Sequence, residues 1–281
     1  MTLLLPDVST TLEKLMLIEA SFRKTTQTIG EWVNEHRDAI KTNLKLTQER
    51  SDENDMKVLR ILLRELLMTV SGNAGERLRH ALDEIVKTKD DLTPENYERV
   101  LKQARYRWGS RGSQVMKDVV SYFKDTLHWN WEAYLEQAAS DGAKQSNFSH
   151  DKLRKITHVG PKVRDLALSN FNENYAAFDL HVIRVVARIG LVGYGWELTK
   201  DAGIEFGTDP SDKSNYLFFR RLFIELARLA GGRFTPVDLD RIFWHHGRGL
   251  CQVTTQCGKC PINDVCLTGK QRNTNALVHS E

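Results

Sequence analysis

No cysteine precedes residue 251 in this chain of 281 residues. A disulfide framework spreads its cysteines to staple distant segments, so ligation by the clustered thiols is the better reading. Convincing strand alternation is missing as well, which removes sandwiches and barrels of strands and leaves an all-α fold as the expectation. No apolar run approaches the roughly 18 residues that a membrane span needs. The opening MTLLLPDVST has neither a basic n-region nor an Arg-rich amphipathic pattern, so export and a membrane partner are not expected and a cytoplasmic location is. A surplus of one charge is lacking too. The 40 Lys+Arg against 37 Asp+Glu leave +3, which permits a local basic face without demonstrating one. Repeats and low-complexity tracts are absent. What is there is 41% apolar and 27% charged, a length and composition that can bury a full core in two lobes.

Helical periodicity accounts for most of the chain. Leu12, Leu15, Met16, Glu19 and Phe22 predict a first helix over 9–24. Ile29, Trp32, Val33, His36 and Ile40 predict a second over 28–43, with His36 read as a packed side chain before it is read as a ligand. The polar segment 45–56 reads as a loop or linker. Residues 56–70 are too rich in leucine to stay on a surface, SGNAG at 71–75 breaks that helix, and 76–87 form the next. Thr93 as N-cap and Pro94 at the first helical position open another. The stretch from Tyr106 through Arg107, Trp108 and Arg111 to Ser113 reads as a glycine-interrupted loop. It suits base stacking and phosphate contact, and equally a buried aromatic corner. Residues 115–127 are again helical, and Trp129, Trp131 and Tyr134 are assigned to the core in preference to a stacking platform. Helices at 180–190, 215–232 and 235–248 follow, the second using Phe219, Leu222, Phe223, Leu226 and Leu229 and stopped by Gly231-Gly232. Residues 193–214 read as loop.

The chain is organised around residues 152–184. Leu153 and Ile156, then Val163, Leu166 and Ala167, predict two helices packed through the turn Thr157-His158-Val159-Gly160-Pro161. Val159 plugs the gap, Gly160 lets the backbone turn, and Pro161 suits the first turn of the second helix. The amides at that helix start can take a phosphate oxygen. Thr157, His158, Val159, Gly160 and Lys155 are therefore candidate backbone contacts, as in a helix-hairpin-helix that clamps DNA without reading sequence. All four cysteines fall together as Cys251-x5-Cys257-x2-Cys260-x5-Cys266, which points to ligation of one metal or cluster. Spacing alone leaves zinc and an iron–sulfur cluster open, because four thiolates suit either.

ITHVGPK, AFDLHVIRV and HHGRGLCQVTTQCGKCPINDVC, in that order, resemble the endonuclease III branch of the helix-hairpin-helix (HhH-GPD) DNA glycosylases, over about residues 150–267. Thr157 and His158 stand where that pattern has proline and glycine. The resemblance implies a two-lobed fold: a six-helix barrel over 55–174 with the hairpin at 152–170, and a cluster lobe built from 1–54 and 175–281. It implies a 4Fe–4S cluster on the four cysteines in preference to zinc, and a cluster loop that presents Arg248, Lys259 and Lys270 to DNA. Lys162 matches the catalytic lysine and Asp179 the carboxylate before the next helix, and Asn73 can substitute for the residue that fills the gap left by a flipped base. The activity implied is base excision with associated abasic-site lyase action on duplex DNA that carries a damaged or modified base, by a monomer in the cytoplasm at the nucleoid, or in the nucleus of a eukaryote. Two alternatives stand beside it: a monofunctional glycosylase in which Asp179 activates water, and a non-catalytic DNA-binding module in which Lys162 only pairs with phosphate and Asp179 only caps a helix.

Overall fold

A computed structural model describes residues 5–22, 25–68, 75–143, 152–195 and 213–271. The described chain is mostly helical. It divides into two compact units, one of residues 38–175 and one of residues 1–37 with 176–281.

The 38–175 unit contains the end of α2 (Ile29–Gln48), then α3 (Asp52–Met68), α4 (Gly75–Ile85), α5 (Pro94–Gln103), α6 (Gly109–Ser121), α7 (Trp131–Ala143) and α8 (Pro161–Leu168). α3 is the hub, packed on α4, α6 and α8. Asp52, Glu53 and Asp55 in its first turn favour the positive end of the helix dipole. Met56, Leu59, Leu62, Leu63 and Leu66 then bury one stripe in a core shared with Leu153, Val159, Ala167 and Leu168 of the hairpin. α5 opens as expected, with the Thr93 side chain accepting from Asn96 N and Pro94 at the first position. α5 and α6 approach closely at Gly112, where an added Cβ would lie 2.8 Å from the Tyr106 ring and 2.9 Å from Leu101. α6 continues as a π-helical turn over Tyr122–Thr126. Phe123, Trp131 and Tyr134 stack in the core, the first two with centroids 4.1 Å apart. Trp129 is only half-buried, under the Lys89 ammonium at 5.0 Å.

The other unit holds α1 (Val8–Met16), strands β1 (Glu19–Phe22) and β2 (Thr25–Thr28), the start of α2, then α9 (Leu180–Ile189), α10 (Lys213–Leu229) and α11 (Pro236–Arg248). α9 packs on α11, and α11 on α1 and α10. Phe178, Phe219, Phe223 and Phe243 form its aromatic centre. Thr235 and Asp238 close a capping box at the start of α11, and Gly190, Gly231 and Gly232 take positive φ at the ends of α9 and α10.

Other expectations fail locally as well. α1 stops at Met16, with Leu17 76% exposed, and Glu19–Phe22 pairs antiparallel with Thr25–Thr28. The helical spacing that reaches Phe22 is coincidental, and the β-branched threonines of the second strand favour the ribbon. The polar 45–56 segment is no linker: α2 runs to Gln48 and α3 starts at Asp52, with Asn54 N donating to Ser51 Oγ. Most of its polar residues lie on a solvated helix face, while Thr47 and Asp55 are buried, Asp55 accepting from Lys89 and Trp131. Of the expected 106–113 loop only 106–108 lies outside a helix, and from Gly109 the chain is the first turn of α6, which carries Arg111. Leu229 is 37% exposed and outside the core.

Candidate functional site

The hairpin is built from a 3-10 turn at Lys152–Lys155, where a helix was expected, followed by α8. Ile156 N donates to Leu153 O and Val159 N to Ile156 O, so the chain reverses in two tight steps. Leu153 and Val159 are buried and hold the turn to the core, while Lys155, Thr157 and His158 are exposed. The residue that turns the backbone is His158, whose φ of 74° lies in the left-handed region. Gly160 does not turn it: its φ is −77° and a Cβ there would meet nothing within 4 Å. Gly160 is the N-cap of α8, Pro161 takes the first position and the half-buried Lys162 the second, and Gly160 supplies no side-chain cap. Below them Arg164 and Asp165 form a buried pair at 2.5 Å, and the Arg164 guanidinium lies 4.8 Å from the Tyr175 ring centre.

Lys162 belongs to the 38–175 unit and Asp179 to the other. Asp179 is the N-cap of α9, and its Oδ1 accepts from His181 N at 2.8 Å and Val182 N at 3.0 Å. Beyond it Leu180 stands exposed. Burial holds the neighbouring His181 below the ordinary imidazole pKa.

In the 38–175 unit, Trp108 is flanked by two guanidiniums, Arg107 at 5.0 Å and Arg111 at 4.9 Å, both exposed. Arg248, also exposed, stacks at 4.9 Å on Trp244 in the other unit. Asn73 lies outside the described residues.

The four cysteines are free thiols that line one small cavity between α9, α11 and the loop 251–266. Burial pushes the Cys260 thiol up to about 11 and raises Cys266 as well. His246 closes the cavity, its Nε2 3.8 Å from Cys260 Sγ and its Nδ1 buried without a partner; Thr255 Oγ1 is likewise buried and unpartnered. Desolvation takes His246 down to about 4, so it is neutral. Among the described residues, no group of three or more His, Cys, Asp or Glu side chains is arranged to hold a metal ion. The thiols border a shared space instead.

The sequence reading passed over Arg188. Its guanidinium lies 3.7 Å from Cys251 Sγ and donates to the carbonyls of Gln252 and, at 3.2 Å, Val253, while its own carbonyl accepts from Cys266 Sγ at 3.3 Å. Arg184, one turn earlier, donates to the Cys251 carbonyl at 3.2 Å. The available signal was the i,i+4 arginine pair on the polar face of an otherwise apolar helix. No family model, no curated protein and no solved structure matches the chain.

Proposed function

We propose that this chain is a DNA glycosylase with associated abasic-site lyase activity, built on the two-lobed HhH-GPD plan. The observation that carries the reading is the hairpin. A buried Val159 anchors a turn whose exposed tip leads through Gly160 and Pro161 to Lys162 in the first turn of α8. A helix start offers amides and a positive dipole end to a phosphate, which suits a backbone clamp. In this reading the Lys162 amine attacks the anomeric carbon of a flipped nucleotide. The N–C1′ bond forms as the base leaves with its bonding electrons and a proton. The sugar opens to a Schiff base on Lys162, and loss of a 2′ proton then breaks the bond to the 3′ phosphate. Asp179, whose Oδ1 accepts from two α9 amides, would stabilise positive charge on the sugar as the base departs.

Cys251, Cys257, Cys260 and Cys266 would hold a 4Fe–4S cluster, which supplies a structural tie for the last loop when bound. The thiols fit it because they border one cavity and because Arg188 and Arg184 fix the loop that carries them. Arg111 and Arg248, both exposed and stacked on indoles, are candidate phosphate contacts.

Borohydride reduction during incubation with abasic duplex DNA tests the assignment. The unaltered protein should be trapped covalently, and Lys162→Gln should abolish the adduct while duplex binding survives. Trapping by Lys162→Gln would move the attack to another amine. Base release from lesion DNA without any adduct would favour water activated by Asp179.

A further inference from the structure

Within the 38–175 unit, the outer faces of α3 and α4 enclose a cavity of about 260 Å3. Its floor is apolar, made by Leu46 at the end of α2, Ile61 of α3 and the fully buried Leu82 of α4. Its rim is cationic. Lys57, Arg60 and Arg64 run along one stripe of α3, and Arg79 joins them from α4. Asp83 is the only acid among the lining residues, in a chain whose 40 Lys+Arg are otherwise balanced by 37 Asp+Glu. No hairpin residue lines this cavity, and α3 turns a different face, that of Leu59, Leu62 and Leu63, to the core.

Each rim cation has an acidic partner, and one buried donor is left over. Arg60 Nη1 is fixed by the Val86 carbonyl at 2.9 Å. Its Nε lies 3.1 Å from Asp83 Oδ1 but is misaligned, leaving a buried donor without a hydrogen bond. An oxygen that entered the cavity would relieve that cost. Arg64 is fixed by the buried Glu65 at 2.6 Å. Lys57 and Arg79 pair with Glu53 and Glu76 at 2.6 and 3.1 Å in exposed i,i+4 and i,i+3 contacts, which contribute little and exchange readily.

We infer that this cavity binds a small organic phosphate of nucleotide type, its phosphate on the Arg60, Arg64, Arg79 and Lys57 rim and its flat body on Leu46, Ile61 and Leu82. Guanidinium forks match phosphate oxygens, and Arg60 Nε is the buried donor that remains without a hydrogen bond once Glu53, Glu65, Glu76 and Asp83 have each taken a cation. A polymer backbone would use the rim and leave the apolar floor wet. The inference is independent of the DNA reading.

Calorimetric titration of the full chain with ADP, inorganic phosphate and adenosine provides the test. ADP should bind at one site, with phosphate or adenosine alone weaker by roughly tenfold or more. The double variant Lys57→Glu/Arg79→Glu should lose roughly tenfold or more of the ADP affinity with an unchanged helical circular dichroism spectrum. In the unaltered protein, hydrogen exchange should show ADP slowing the amides of residues 57–64 and 79–83. No ADP binding at about 1 mM would overturn the inference. So would undiminished binding by a folded double variant, or protection elsewhere. Loss of duplex DNA affinity in that variant, with no ADP binding to the unaltered chain, would make the rim a nucleic-acid surface and overturn it too.

Discussion

At the scale of single residues, two positions show what the backbone asks of a side chain. Asp179 accepts two amide hydrogens at the start of α9. An asparagine keeps an oxygen in that place and an alanine does not. Asp179→Ala should therefore lose about 1 kcal/mol of stability in denaturant unfolding, and Asp179→Asn much less. Base release should fall on the order of 10²-fold or more in both, because each removes the negative charge. An Asp179→Asn enzyme with full activity would reduce the carboxylate to a helix cap. The hairpin gives the second case. His158 sits at φ 74° and Gly160 at −77°, so the need for glycine lies two residues before the glycine that is present. His158→Gly should raise stability by about 1 kcal/mol through relief of left-handed strain, whereas Gly160→Ala should be close to neutral, since nothing lies within 4 Å of its new Cβ. The reverse order in thermal melts would contradict this account. The sequence shows a tight turn here, but which residue bears the positive φ depends on how Leu153 and Val159 anchor it, and that is tertiary.

At the scale of elements, legibility follows from whether the signal is local. Thr93-Pro94, Thr235-Pro236 with Asp238, and Gly190 mark helix ends through contacts three or four residues away, and the structure places ends there. The failures share another cause. α2 and α3 expose their polar faces at 45–56, and solvated helix has the same composition as loop. β1 and β2 are short and depend on each other, so neither has a period of its own to read. α11 shows what packing adds. Its His245 stacks on Trp32 of α2 at 5.5 Å, and burial, with Arg241 and Arg248 nearby, takes its pKa down to about 4. The unfolded chain holds this imidazole near 6.5, so between about pH 6.5 and 4 it binds the proton that the folded chain refuses. Stability is complete above that window and falls as pH drops through it, by at most about 1.4 kcal/mol per pH unit for this one group. His245→Phe should keep the stack and flatten the acid limb of a pH series of denaturant midpoints by that amount. An unchanged slope would assign the acid sensitivity to other groups, His246 foremost.

At the scale of the whole molecule, the least legible contacts are the most distant in sequence. Arg37 pairs with the buried Asp238 across 201 positions, and Arg233 with Glu13 across 220, and nothing local announces either. The cysteine loop is the exception, because four thiols within 16 residues declare their convergence before any fold is known. The structure adds the means. α9 reaches the loop with Arg184 and Arg188, so the segment is tied by arginine to carbonyl, apart from any group the thiols would hold. Two contributions should then separate. Cys257→Ser removes one ligand and leaves both arginines, so it should lower iron and sulfide content, bleach the yellow-brown absorption of thiolate-bound iron and lower the melting temperature. Arg188→Ala leaves all four thiols but frees the Gln252 and Val253 carbonyls. It should retain iron after anaerobic purification and shed it faster under chelator, because the contacts that hold the cysteine loop in place set how firmly its thiolates grip a metal. Stoichiometric zinc without iron in the unaltered protein would replace the cluster by a mononuclear site. Iron loss equally fast in Arg188→Ala and the unaltered chain would leave the arginine a loop contact with no hold on the metal.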